Sequence, residues 1–166
     1  LLNSEHNYTR PGKFYMLSKR RSVADKTIGG EYPMTLKSTS VPSWTLVRAI
    51  LDEKPYLPRM ALFMLTNPVT SFVNSRETRE ALMKLEFTVV LDLFMTPTAA
   101  LADIVLPAAF GMEHDEVGYW PGWYNEVRAH PKVVDPPGEA WPDTKVFNEL
   151  AKRLDLDDFW EDDHEA

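Results

Sequence analysis

Residues 86–107 read EFTVVLDLFMTPTAALADIVLP. Two apolar runs, TVVL and IVLP, flank a polar stretch that carries Asp92, Thr96, Thr98 and Asp103. Short unbroken runs of β-branched and aliphatic residues read as strands buried on both faces, the pattern of a parallel sheet. The first run ends on a carboxylate, and hydroxyls and a proline follow at once. TPTAALAD between the runs reads as a short helical turn, with Pro97 at a permitted first-turn position.

Working outward, MALFML (60–65) is another unbroken apolar run, closed by Thr66-Asn67-Pro68. Asn74 and Ser75 are good helix starters, and RETREALMKL behind them turns Ala81, Leu82 and Leu85 inward. Upstream, SWTLVRAIL (43–51) spaces Trp44, Leu46, Val47, Ile50 and Leu51 for a helix with one buried face. The order β-α-β-α-β predicts an α/β fold: a three-layer, open, mostly parallel sheet with flanking helices and right-handed crossovers. Residues 111–142 are rich in Trp, Tyr, Pro and Gly and read as a long ordered loop, a kind that is usually functional or part of an interface. Pro142-Asp143-Thr144 then opens a helix whose apolar face is Val146, Phe147, Leu150 and Leu154. The expected organisation is an extended lead-in over 1–42, one α/β domain over 43–155, and an acidic tail over 156–166. Lys19, Arg20 and Arg21 form a basic patch in the lead-in, where a solvated loop is the simpler reading.

Bulk properties narrow the function. With 166 residues the chain can bury a proper core. A net charge of −7 disfavours a nucleic-acid partner, which would select a basic face. No apolar run reaches the ~18 residues that would cross a membrane. The absence of cysteine excludes disulfides, thiolate metal sites and iron–sulfur ligation within this chain, and leaves the compartment open. The chain starts with Leu, which fits a piece of a longer polypeptide.

In open parallel sheets, ligands bind beyond the carboxyl ends of the strands. Two polar clusters sit there: Thr66-Asn67-Pro68, and Asp92 with Thr96 and Thr98. A carboxylate repels phosphate but accepts hydrogen bonds from a base or from ribose hydroxyls. Guanine, with adjacent N1–H and N2 amino donors, matches it bidentately. The plainer alternative is that Asp92 and Asn67 cap their own turns. Neither a G-x-G-x-x-G nor a P-loop lysine pattern occurs. Glu113-His114-Asp115-Glu116 follows the third run, but nothing brings His6, His130 or His164 to it, so no metal site is assigned. His114 could donate to an anionic ligand. No catalytic triad or carboxylate pair emerges, so no catalytic residue is assigned.

Three segments resemble the molybdopterin oxidoreductases of the dimethyl sulfoxide reductase superfamily. They are LTNPVTS (65–71), VVLDLFMTPTAALADIVLPAAFGMEHDEVG (89–118) and PKVVDPPGEAWPDTKVFNELAKRL (131–154). Together with the YWPGWYNEVR loop they look most like members known as anaerobic dehydrogenases. The resemblance implies an enzyme fragment that binds one guanine dinucleotide of a bis-molybdopterin guanine dinucleotide cofactor carrying Mo or W. It implies an iron–sulfur cluster and the metal ligand in other domains, and as partners those domains and iron–sulfur or membrane-anchor subunits. This piece alone would be catalytically silent, without contact to membrane or nucleic acid. Matched position by position, the resemblance assigns cofactor contacts to Asn67, to Leu91 and Asp92, to His114 where Lys or His is usual, and to Asp143. Thr66 departs from the more familiar Gly or Ser. Asp143 also reads as an N-cap for the last helix, and Thr96 and Thr98 as turn-formers. The alternative from another class is a cofactor-free, flavodoxin-like interaction domain that uses the aromatic loop as a binding patch. A third is an independent mononucleotide-binding protein.

Overall fold

The computed structural model describes residues 26–30, 42–119 and 127–156. Most of the lead-in, the tail beyond 156 and the aromatic tip with Trp120, Trp123 and Tyr124 lie outside the described residues, as do Lys19, Arg20, Arg21, His6 and His164.

Three strands, β1 (Met60–Met64), β2 (Phe87–Asp92) and β3 (Ile104–Pro107), form a parallel sheet in the order β1-β2-β3. Met64 pairs with Leu91 and Leu91 with Leu106, so the strands end almost level. The expected β-α-β-α-β order is observed. Helix α1 (Ser43–Asp52) precedes the sheet, α2 (Pro68–Ser71) and α3 (Ser75–Leu82) connect β1 to β2, and a single 3-10 turn (Ala99–Leu101) connects β2 to β3. Pro97 lies just ahead of that turn rather than in it, with Thr98 as the capping residue. Asn74 caps α3 as expected, its side chain accepting from the Glu77 N–H at 3.3 Å.

One face of the sheet is packed. Phe63 and Val90 meet Leu82 and Ala99, with Ala61, Val69, Leu85 and Val105 around them. Beyond that layer, Ala81 meets Val47 and Ile50 of α1, and Leu85 touches both clusters. Trp44, expected on the buried face of α1, is instead 43% exposed. The opposite sheet face is looser. Helix α4 (Asp143–Arg153) stands over it, and a groove of about 530 Å³ lined by Leu62, Val89, Leu106, Val146 and Leu150 runs between them. Met60 and Ile104 remain 61% and 43% exposed. Burial on both faces, as the apolar runs suggested, therefore holds only in β2, where the adjacent Val90 and Leu91 are both buried; β1 buries Phe63 alone and β3 no residue, because one helix held off by a groove cannot cover the second face.

The long loop expected over 111–142 is corrected in part. It contains an antiparallel pair, β4 (Glu116–Tyr119) and β5 (Val127–His130), in which Val117 faces Ala129 and Glu116 faces His130. The strands are only four residues each. In so short a pair the surrounding Pro, Gly and aromatic residues mask the alternation that marks a strand.

Candidate functional site at the carboxyl edge of the sheet

Four chain segments leave the sheet at one edge. Asn67 lies three residues past Met64, and Asp92 is the last residue of β2. The backbone after β3 continues beside a fourth segment: Ala108 forms a parallel bridge with Trp141, and the Ala109 N–H donates to the Trp141 carbonyl at 2.8 Å. Asp143 follows two residues later, and the turn that carries His114 follows Ala109. The parallel order thus brings Asn67 and Asp92 to the same edge, as the strand-end argument expected, and His114 and Asp143, which the resemblance singled out, follow the segments that leave there.

Asn67 departs from the capping alternative. It is the N-cap residue of α2, yet its side chain makes no cap bond to that helix. Its Oδ1 instead accepts from the Thr98 hydroxyl at 2.6 Å and from the Thr98 backbone N–H at 3.3 Å. At the start of α2, Pro68 has no N–H, the Val69 N–H donates to the Thr98 hydroxyl oxygen at 3.1 Å, and the Asn67 carbonyl accepts from the N–H groups of Thr70 and Ser71. Asp92 follows the capping alternative. Its Oδ1 accepts from the Phe94 N–H at 3.2 Å, an Asx turn, and its Oδ2 lies 3.5 Å from the Thr96 hydroxyl. Two oxygens offer about four acceptor sites, so capping leaves Asp92 free to accept more. Thr96 is a turn-former as read, its Oγ1 accepting from the Ala99 N–H at 3.2 Å. Leu91 is 1% exposed and paired on both sides, so its side chain belongs to the core and it sets the level at which Asp92 emerges.

Asp143 is not an N-cap. Pro142 holds that position, no side chain caps the helix, and Asp143 is its first residue. Its carboxyl is pushed above the usual 3.8, chiefly by burial and further by Glu116, while His114 pulls it down. His114 and Glu116 therefore act on Asp143 electrostatically. His114 is half-buried, and its Nδ1 is enclosed without a partner. The neighbouring acids serve local structure. Glu113 accepts from the Phe110 N–H at 2.9 Å, and Asp115 accepts from the Lys132 N–H at 2.8 Å. Among the described residues no group of three His, Asp or Glu side chains could hold a metal. No described helix is long and apolar enough to cross a membrane.

Sequence reasoning missed Thr98 as a partner of Asn67 and Asp103 as a partner of β2. The Asp103 carboxylate accepts from the Thr88 N–H at 2.7 Å, and the Asp103 N–H donates to the Thr88 carbonyl at 2.9 Å. A polar residue directly before an apolar run was the available signal for Asp103. Nothing local marks Thr98.

A sequence profile described as molybdopterin oxidoreductase matches residues 10–153. The chain belongs to this family. Among relatives, it is 37% identical over 124 residues to the probable oxidoreductase YyaE of Bacillus subtilis, covering 75% of this chain and 19% of that protein. It is 38% identical over 109 residues to the F420-dependent formate dehydrogenase subunit alpha of Methanocaldococcus jannaschii, covering 66% of this chain and 16% of that protein. Among solved structures, acetylene hydratase from Pelobacter acetylenicus superposes with a TM-score of 0.66 at 28% identity, over 86% of this chain and 19% of that one. The chain thus spans about one-fifth of the length of these proteins. Family membership implies a molybdenum or tungsten pterin cofactor. The described residues suit its polar periphery rather than its metal, because they offer hydrogen-bond donors and acceptors at a sheet edge and no metal-ligand cluster.

Proposed function

We propose that this chain is the α/β unit of a larger molybdenum or tungsten oxidoreductase, and that it binds the guanine dinucleotide end of one pterin of a bis-molybdopterin guanine dinucleotide cofactor. The observation that carries this reading is the convergence of Asn67, Asp92, His114 and Asp143 on one edge of a parallel sheet, with Asp92 keeping unused acceptor capacity. Asp92 accepts from the N1–H and N2 amino groups of guanine, and Asn67 donates. His114 donates to an anionic part of the cofactor. Leu91 holds Asp92 at the right level, and Asp143 accepts from the sugar or base. When bound, the metal–pterin centre supplies the redox chemistry, and this chain binds and orients it. The chain alone is inactive.

On this reading, residues 1–42 lead in from a preceding domain, 43–155 form the cofactor domain and 156–166 an acidic tail. The open sheet face and its groove become the inner boundary of a third layer, completed by other parts of the enzyme. The iron–sulfur cluster and metal ligand reside in those other domains. The parent works with partner subunits, as the designation of the methanogen relative as a subunit suggests. The cofactor-free flavodoxin-like alternative has no support among the relatives described.

The test is an amide NMR titration of the chain with GMP and GDP, with AMP and NAD as controls. Guanine-selective shifts at Asn67, Asp92, His114 and Asp143 are expected. An equal response to AMP, or shifts at the opposite end of the sheet, would overturn the assignment of Asp92 to guanine.

A further inference from the structure

Thr98 is fully buried, a threonine in a loop between two strands. Its carbonyl accepts from the Leu101 N–H at 3.0 Å, and its hydroxyl and N–H make three further hydrogen bonds whose directions are all determined. The Val69 backbone N–H donates to its Oγ1 at 3.1 Å, so that N–H fills one acceptor position of the hydroxyl. The hydroxyl proton goes to Asn67 at 2.6 Å, and the Thr98 backbone N–H goes to the same Asn67 atom at 3.3 Å. Two donors converging on one terminal atom require that atom to be oxygen, because an amide nitrogen cannot accept. The Asn67 carboxamide is therefore locked with its oxygen toward Thr98. Its Nδ2 amino group points away from Thr98, has no acceptor among the described residues and is not among the buried atoms lacking a partner. A carboxamide that could flip would offer a ligand either a donor or an acceptor. This one offers donors only.

We infer that Thr98 is a positioning residue that makes Asn67 a one-way donor, so that the ligand atom meeting Asn67 is an acceptor oxygen. The inference rests on the nucleotide reading above and adds to it the polarity of one contact and the residue that sets it. Asn67 and Asp92 then form a complementary pair of readers at neighbouring strand ends, one donating and one accepting. A ligand that presents donors to Asp92 and an acceptor to Asn67 fits, and one with the reverse polarity meets like groups at both.

The test uses the full-length protein produced without cofactor, with GDP, GMP and guanosine titrated calorimetrically and thermal unfolding recorded in parallel. Three variants are compared with wild type. Thr98→Val removes the hydroxyl at nearly constant volume and is expected to weaken GDP binding about tenfold, the scale of one lost hydrogen bond. Thr98→Ser restores the hydroxyl and is expected to return affinity to within about twofold of wild type. Asn67→Asp keeps an oxygen for Thr98 but replaces the outward donor with an acceptor. It is expected to keep the wild-type Tm and lose at least about tenfold in affinity. A loss shared by guanosine places the acceptor oxygen on the base or sugar. A loss confined to GDP and GMP places it on phosphate, and both outcomes support the inference. Wild-type affinity in Asn67→Asp, or in a folded Thr98→Val, overturns it, as does a failure of Thr98→Ser to restore affinity. If Thr98→Val does not fold, the other two variants decide. Absence of guanine binding in the wild-type protein instead overturns the nucleotide reading itself.

Discussion

Asn67 and Asp92 occupy equivalent places, each at the carboxyl end of a parallel strand and each with a short polar side chain. They are used in opposite ways. Asp92 bonds within its own turn, to Phe94 two residues on and Thr96 four residues on. The Asn67 side chain makes no bond to its own helix and instead bonds Thr98, 31 residues away. The difference follows from what surrounds each side chain. Asp92 opens onto Phe94, which is 72% exposed, so a nearby turn N–H is the ready partner. Asn67 stands against a wholly buried threonine whose hydroxyl and N–H would otherwise lack an acceptor. The first arrangement shapes a loop, and the second ties two loops together across the end of the sheet.

That contrast can be broken by substitution. Asn67→Ala strips the acceptor from two Thr98 donors in a buried setting and is expected to destabilise the fold by about 2–3 kcal/mol, read as a lower urea midpoint at unchanged slope. Asp103→Ala comes next. It leaves the N–H of buried Thr88 without its 2.7 Å carboxylate and is expected to cost about 1–2 kcal/mol in the same measurement. Asp92→Ala is expected to cost about 1 kcal/mol or less, because water replaces the carboxylate at exposed Phe94. A cost equal to that of Asn67→Ala would erase the distinction between the two strand ends. Asp92→Asn sharpens it further. The turn retains an acceptor, so stability is expected to stay within about 0.5 kcal/mol of wild type, while guanine binding in the full-length protein weakens.

The smallest expected effect is at Asp143. Burial raises its carboxyl above 3.8, so between that value and the raised one the folded chain binds more protons than the unfolded chain. The contribution of this group to stability is thus greatest at low pH and is lost as pH rises through that window. Asp143→Asn is uncharged throughout. The urea midpoint of wild type minus that of the variant is expected to fall as pH rises above 3.8 through that window. A difference that rises over this range would contradict burial as the dominant influence.

The parallel sheet and the helices α1, α3 and α4 were legible in the chain, because apolar runs and helical spacing are local records of which side chains meet the core; the order of the strands in the sheet was not. MALFML, TVVL and IVLP marked their strands, and Asn74 marked its cap. The β4–β5 pair was not legible, since four-residue strands embedded among Pro, Gly and aromatic residues carry too little alternation. The N-cap reading of Asp143 failed because Pro142 already supplies the extended conformation at the cap, which moves Asp143 into the first turn.

For the candidate site, residue types and their position after each strand were enough to select Asn67 and Asp92, since a parallel sheet sends every strand end to the same edge, whereas Asp143 and the cofactor role of His114 came from the family resemblance. Their hydrogen-bond partners were decided only by tertiary structure. Composition cannot tell whether an asparagine caps its own helix or reaches a threonine 31 residues away. That choice is made by which donor is buried without another partner, a property of the packed molecule and not of any stretch of its sequence.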